Sequence, residues 1–386
     1  MIFSTKGNYK KGRLVDVNES IKQKIQEIFN HLHAHPEVSW KEFQTTEYIA
    51  AILRENGCRV QTFDDCTGVI GELGQGLPVV AVRADIDALW QEVDGEFRAN
   101  HSCGHDAHMA MVLGVMYALK DKPIQGTVRF IFQPAEEKGT GALTLVDKGV
   151  VDDVDYLYGV HLRPIQEIPN GTAAPAIHHG AARFVQGKIT GDDCHGARPH
   201  LGANAIEVGA DLVKMIQGMH MDPMVPHSAK MTAFQAGGES SNIIPGSATF
   251  SLDLRSQSND VMEAMMEKIE AGVKLLENHH GVSIQLEVKA NVAAAVSNDD
   301  ATQHMQRAIT SILGEENTKD PLVTTGGDDF HFYTIKRPNL KATMLGLGCD
   351  LEPGLHHPLM TFNHEALKTG TEILTKVILD TLNSSK

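Results

Sequence analysis

Apolar positions recur at two spacings along the first half of the chain. Ile21, Ile25, Ile28, Phe29 and Leu32 follow the three-and-four rhythm of an amphipathic helix, with Asn18 or Ser20 as its cap and Pro36 as its stop. A second helix is predicted over 42–56, ended by Gly57, followed by short strands near 59–63 and 69–73. The run PVVAVRADIDAL is apolar enough to be a buried strand, and it carries Asp85 and Asp87 at its C-terminal end, where ligands collect in α/β sheets. A helix over 107–119 with Asp106 as its cap, a strand over 127–132, a short helix over 142–147 and the strand YLYGVHL come next. Strands alternating with helices predict a mostly parallel sheet sandwiched by helices. Each strand delivers polar groups at its far end, Glu136 and Glu137 after one and His161 after the next.

From about residue 182 the pattern changes to strand 183–190, helix 205–219, strands 230–236 and 247–254, helix 260–277 and strand 282–288. This βαββαβ order is that of an α+β ferredoxin-like unit. Stretches rich in glycine, proline and alanine mark its entry and exit. The expected organisation is therefore an α/β domain made of residues 1–180 and 291–386, interrupted by an inserted domain over 181–290. A helix over 301–313, the GGDDFHFY segment, a strand over 341–347, the PGLHHP loop and a helix over 364–382 complete the first domain.

With 386 residues, two cores are expected, since single cores rarely grow past about 250 to 300 residues. A formal net charge of −15 argues against a nucleic-acid or anionic-membrane partner. The five cysteines are scattered and odd in number, and the first twelve residues have no apolar core, which points to a reducing cytoplasm. No apolar run approaches the roughly 18 residues of a spanning helix.

The chemistry concentrates in NHSCGHDAHM at 100–109. Cys103 and His105 flank Gly104, so a tight turn can aim a soft thiolate and an imidazole at one point, a pair suited to zinc or a similar ion. His31, His33 and His35 are read as structural, because residues two apart on a helix point to different faces. Cys103, His105, Glu137, His161 and one of His356 and His357 make five candidate ligands, too many for one tetrahedral zinc and about right for two bridged ions. In the adjacent pair, one glutamate can hold metal while its neighbour takes a proton from water. A cysteine hydrolase using Cys103 as nucleophile is the rival reading, and it leaves Glu136, Glu137, His161 and His356 without a purpose. A non-catalytic binding protein is a further alternative, whose signature would be the loss of Glu136.

In order along the chain, RADIDAL, SCGHDAH, FQPAEE, GVHLRP, HGARPHLGANAI, SSNIIP, GGDDF and LHHP resemble the motifs of the zinc aminoacylase and carboxypeptidase G superfamily. Within it they are most similar to the amidohydrolase branch of hippurate hydrolases, auxin-conjugate hydrolases and N-acetyl-diaminopimelate deacetylases. The resemblance implies that Cys103, His105, Glu137, His161 and His356 hold two divalent ions per subunit, zinc, manganese or cobalt. His356 is preferred over His357 by the branch pattern LHxP. Glu136 is implied as the general base and Asp87 as the residue that orients the metal shell. The inserted domain is implied to be a lid that also makes a homodimer, with His195 reaching the partner's site to stabilise the oxyanion. Asn242 and Arg255 fall on lid positions that contact substrate, Arg255 offering a fork for an α-carboxylate. The implied substrate is a small N-acyl amino acid, with free peptides as the alternative. Trp90 stands where the branch has proline and the loop over 92–101 is short, departures that bear on substrate range.

Overall fold

The structure is a computed structural model that describes residues 17–296 and 298–384. The first twelve residues, read above for an apolar core, lie outside them. Seven strands form the main sheet in the order Arg59–Thr62, Val69–Gln75, Gly126–Gln133, Val79–Asp85, Tyr156–Pro164, Lys341–Leu351, Ala173–Ala174. The four middle strands run parallel, and the outer ones are antiparallel to their neighbours. Every residue of Val79–Asp85 is buried, which is why that strand reads as a continuous apolar run: helices cover both of its faces.

One face packs on the helices Glu19–Ala34, Phe43–Glu55, His105–Leu119, Asp299–Leu313 and Glu365–Ser384, through Ile25, Ile49, Met111, Met305 and Ile378 among others. Asn18 caps the first of these, its Oδ1 accepting the amide of Ile21 at 3.0 Å. The other face meets the short helices Gly141–Asp147 and His331–Lys336 through Leu145, Phe332 and Tyr333. The helix His105–Leu119 has almost no exposed side, so it is apolar nearly all round.

The inserted segment forms a four-stranded antiparallel sheet in the order His227–Ala236, Ala248–Ser256, Ala181–Thr190, Ser283–Val292. Numbered along the chain this is 2-3-1-4, the ferredoxin-like arrangement. Helices Ala205–Gln217 and Asn259–His280 cover one face and share a core of Val185, Leu212, Phe250 and Ile269. The opposite face alternates to polar groups such as Gln186, Lys188, Asp253 and Arg255. The two connections to the main domain run side by side, with the amide of Ala295 donating to His179 O at 2.9 Å and that of Gly180 to Gly326 O at 3.0 Å.

Two local expectations are corrected. The helix predicted from Ala107 with Asp106 as cap begins at His105, with Gly104 in the cap position. Asp106 instead accepts from the amide of Ala107 at 2.8 Å and faces His33 Nδ1 at 2.7 Å. The short loop expected over 92–101 is half of a hairpin, Leu89–Val93 against Glu96–Asn100. Its turn is Asp94–Gly95, both at positive φ, the pairing that two-residue hairpins favour.

Candidate functional site

Gly104 sets the turn that presents the first two donors. Its φ is 86°, and a Cβ there would stand 3.0 Å from Leu162 Cδ1, so conformation and space both call for glycine. Cys103 Sγ consequently lies 3.6 Å from His161 Nε2, and the donor atoms of Cys103, His105 and His161 all fall within 4.8 Å of one another. Cys103, Glu137 and His356 form a second triplet within the same limit, with His356 Nε2 at 3.4 Å from Glu137 Oε1. The two triplets share the thiol. His357 points elsewhere, its Nδ1 accepting the amide of Leu359 at 3.1 Å.

The backbone decides which imidazole nitrogens face the cluster. His105 Nδ1 donates to the carbonyl of Asp87 at 2.8 Å, and His161 Nδ1 donates to that of Leu162 at 2.7 Å. Since a carbonyl can only accept, both rings carry a proton on Nδ1 and turn Nε2 toward the cluster, the orientation of a metal-binding histidine. Burial, with His108 and Arg163 nearby, keeps His161 well below the usual imidazole range and hence neutral. His105 Nε2 and Glu137 Oε1 are buried without a hydrogen-bond partner. Buried lone pairs are normally satisfied; a thiol, three imidazoles and a carboxylate left facing one another fit divalent cations.

Glu136 and Glu137 follow Ala135, which has a φ of 51°. Asp87 takes both of their amides, Oδ1 from Glu136 at 3.1 Å and Oδ2 from Glu137 at 3.0 Å. Glu136 Oε2 is 3.9 Å from His105 Nε2, while on its other side its carboxylate meets those of Asp328 and Asp329, all within 4.8 Å. Burial, then Asp328, Glu137 and Asp329, push the Glu136 carboxyl well above its usual range.

Around this cluster is a network whose roles the motifs did not assign. Arg83, fully buried, donates to Gln133 at 2.9 Å, Asp85 at 2.6 Å and Asp329 at 3.1 Å. Burial and Asp328 lift Asp329 to about 7 in spite of that arginine. Asp85 accepts from His108 Nδ1 at 2.7 Å, and His108 Nε2 accepts the amide of Leu162 at 3.0 Å. Ser39 donates to Asp87 Oδ2 at 2.6 Å. RADIDAL and GGDDF contain most of these charged groups, but nothing in the sequence joins positions 83 and 329.

The lid candidates stand apart. Among the described residues, no hydrogen bond or ion pair joins His195, Asn242 or Arg255 to the donor cluster. His195 is exposed, in a ribbon where Cys194–His195 pairs with Ile243–Ile244, and its Nδ1 accepts the amide of Ala197 at 3.0 Å. Asn242 adjoins it, its carbonyl accepting from Gly196 at 2.8 Å. Arg255 grips Asp253 through Nε at 2.7 Å and Nη2 at 3.2 Å, 5.0 Å above the ring of Phe184. The first-helix histidines serve packing: His33 holds Asp106, His35 bonds the carbonyl of His31, and His31 stacks on Tyr48. All five cysteines are free, and no described helix is long and apolar enough to cross a membrane.

Comparison with known proteins gives one consistent result. A putative aminohydrolase from methicillin-resistant Staphylococcus aureus superposes with a TM-score of 0.86 at 26% identity, covering 96% of this chain and 99% of that one. The YXEP protein of Bacillus subtilis, described as a dinuclear metal binding peptidase, gives 0.80 at 25% identity, covering 95% and 99%. In sequence, the N-acetyl-L-cysteine deacetylase of Bacillus subtilis is 30% identical, covering 95% of this chain and 91% of its own. Thermostable carboxypeptidase 2 of Saccharolobus solfataricus is 31% identical, covering 84% and 88%. The model of peptidase family M20/M25/M40 matches residues 81–380, so the chain belongs to that family and is a metal-dependent hydrolase of amide bonds.

Proposed function

We propose that this protein cleaves the amide bond of small N-acyl amino acids, with two divalent ions held by Cys103, His105, Glu137, His161 and His356. The observation that carries the proposal is the pair of donor triplets sharing Cys103, with Glu136 beside them and in neither. The mixed thiolate, imidazole and carboxylate set suits zinc, manganese or cobalt. Bound ions would supply Lewis acidity at the acyl carbonyl and ease the ionisation of water. A reducing cytoplasm would keep the Cys103 thiol free for this duty.

The remaining work belongs to side chains. Glu136 takes the proton from the attacking water and returns it to the departing amine nitrogen. A carboxylate whose proton affinity is raised by burial and by Asp328 is suited to hold that proton between the two events. Asp87 holds the base through its own amide. His195, contributed by the partner of a homodimer, donates to the acyl oxygen as it gains negative charge, with Asn242 alongside. Arg255 has Nη1 left over from its grip on Asp253 and offers it to the substrate's α-carboxylate. Relatives named N-acetyl-L-cysteine deacetylase, in Bacillus subtilis, and IAA-amino acid hydrolase, in Arabidopsis thaliana, support the acyl-amino-acid reading.

The second reading is a di-metal exopeptidase acting on small peptides, which the relatives named thermostable carboxypeptidase favour. A panel of acetyl, benzoyl and longer acyl amino acids, run beside dipeptides on protein stripped of metal and then reloaded, separates the two. Acyl amino acids should be the faster substrates, chelation should abolish turnover, and added divalent ion should restore it. Faster cleavage of dipeptides would establish the exopeptidase. Chelated protein that stayed fully active and died on thiol alkylation would make Cys103 a nucleophile.

A further inference from the structure

The segment from Glu37 to Glu42 precedes the family-matched residues 81–380 and leads into the helix Phe43–Glu55. In the structure it braces the candidate active site at four points. The carbonyl of Glu37 accepts the amide of Ala88 at 2.8 Å, beside a parallel bridge between Val38 and Ala88. Ser39 donates to Asp87 at 2.6 Å, and Trp40 Nε1 donates to Thr140 Oγ1 at 3.3 Å. At the fourth point, Glu42 Oε1 accepts the amide of Ala135 at 2.9 Å.

That last contact is unusual for its position. Glu42 is the cap residue of the helix Phe43–Glu55, yet its side chain makes no capping bond. It is completely buried, and its carboxylate crosses to the turn before Glu136 while its other oxygen accepts from Thr67 Oγ1 at 2.6 Å. Burying a carboxylate is unfavourable unless it is well hydrogen-bonded, so both oxygens are matched to donors. As a result three consecutive amides, those of Ala135, Glu136 and Glu137, are each held by a buried carboxylate, Glu42 for the first and Asp87 for the next two. Ala135 needs holding, because its φ of 51° lies in the left-handed region that L residues disfavour. If that residue relaxed to an ordinary conformation, the peptide leading into Glu136 would rotate and the carboxylate would swing away from the cluster.

We propose that Glu42 is a positioning residue of the hydrolysis, fixing Ala135 in its left-handed conformation and thereby aiming Glu136. The proposal rests on Glu136 acting as the base. It also distinguishes reach from charge: the demand is for an acceptor at the distance of Glu42 Oε1, not for a negative charge.

Glu42→Asp keeps the charge and withdraws the acceptor, whereas Glu42→Gln keeps the reach and removes the charge. With metal-loaded protein and the best substrate of the acyl panel, Glu42→Asp should lower kcat on the order of 10²-fold, the scale of loss expected from a misplaced catalytic group. KM and bound metal should change little, since Asp87 still holds Glu136 and Glu137. Glu42→Gln should recover most of the lost kcat. A second readout needs no substrate: amide exchange followed by mass spectrometry should show protection lost over residues 134–141 in Glu42→Asp and kept in Glu42→Gln. Full activity in both variants would overturn the proposal. So would the reverse ranking, which would assign the effect to charge, or loss in both with exchange loosened throughout the chain, which would make Glu42 a structural residue only. Should the wild-type protein cleave nothing in the panel, the functional reading fails by itself, and exchange over 134–141 still judges Glu42.

Discussion

Asp87 and Glu136 are joined through the backbone of one and the side chain of the other: the Glu136 amide donates to Asp87 Oδ1 at 3.1 Å. The proposed base is therefore anchored by a bond that does not use its carboxylate, whose Oε1 accepts the amide of Asp329 at 3.4 Å. Glu136→Gln preserves that anchor, and nearly all of the side-chain shape, while removing the proton acceptor. Its kcat should fall on the order of 10²-fold or more, the usual worth of a positioned acid/base group, with metal content unchanged by elemental analysis. Turnover at the wild-type rate would remove Glu136 from the mechanism.

Arg255 meets Asp253 with two of its nitrogens and is about one-third exposed. An exposed pair of this kind contributes only about 0 to 1 kcal/mol, so a substrate carboxylate could compete for the guanidinium. Arg255→Met should then penalise an N-acyl amino acid far more than its methyl ester, measured as kcat/KM on the two. Equal losses on acid and ester would leave Arg255 as a partner of Asp253 alone.

His331 sits in the core with its Nε2 2.9 Å from His179 Nδ1. Burial brings its imidazole from an ordinary 6.5 down to about 4, with Asp328 pulling the other way and Arg83 assisting. Between those two pH values the unfolded chain binds the proton that the folded chain refuses, so stability rises with pH across the window. Acidification from 6.5 towards 4 should therefore remove up to about 3 kcal/mol through this one group. Denaturant melts over that range on wild type and His331→Gln would show it, the variant having the shallower dependence on pH. Parallel curves would mean that His331 titrates alike in both states.

Local signals were legible where one short stretch encodes one geometry. Cys103–Gly104–His105 announced a turn with two donors, and Gly104 supplies it at a φ of 86°. Asp106 is a common capping type, whereas here the turn at Gly104 lets the helix begin two residues earlier than that cap implies and frees Asp106 for His33. The Asp94–Gly95 hairpin has a readable turn pair, but one of its flanking strands, LWQEV, lacks the apolar alternation that marks strands. Long-range relationships were not legible. Arg83 and Asp329 are separated by 246 positions, and Glu42 stands at the start of a predicted helix with nothing in its pattern to mark it as wholly buried. The period of a pattern gives the face of an element but not what that face meets.

The pairing of Cys194–His195 with Ile243–Ile244 leaves His195 exposed with Leu201, Ile206 and Ile243 also open to solvent nearby in sequence or strand pairing. Exposed apolar groups around a histidine that has no link to the donor cluster of its own chain suit donation across a two-fold interface, the commonest form of self-association. Mixing two inactive proteins tests it. On the proposed mechanism His195→Ala lacks the oxyanion donor and Glu136→Gln lacks the base, so each should be nearly inactive alone. After subunit exchange, a mixed dimer contains one site with an intact Glu136 and an intact His195 donated by the neighbour, and activity should reappear there. With random exchange of equal amounts, about half of the dimers are mixed and each has one working site of two, so roughly a quarter of wild-type activity is the ceiling. If labelling or native mass confirms the exchange and no activity returns, donation across the interface is wrong, and His195 acts within its own subunit or has no part in catalysis.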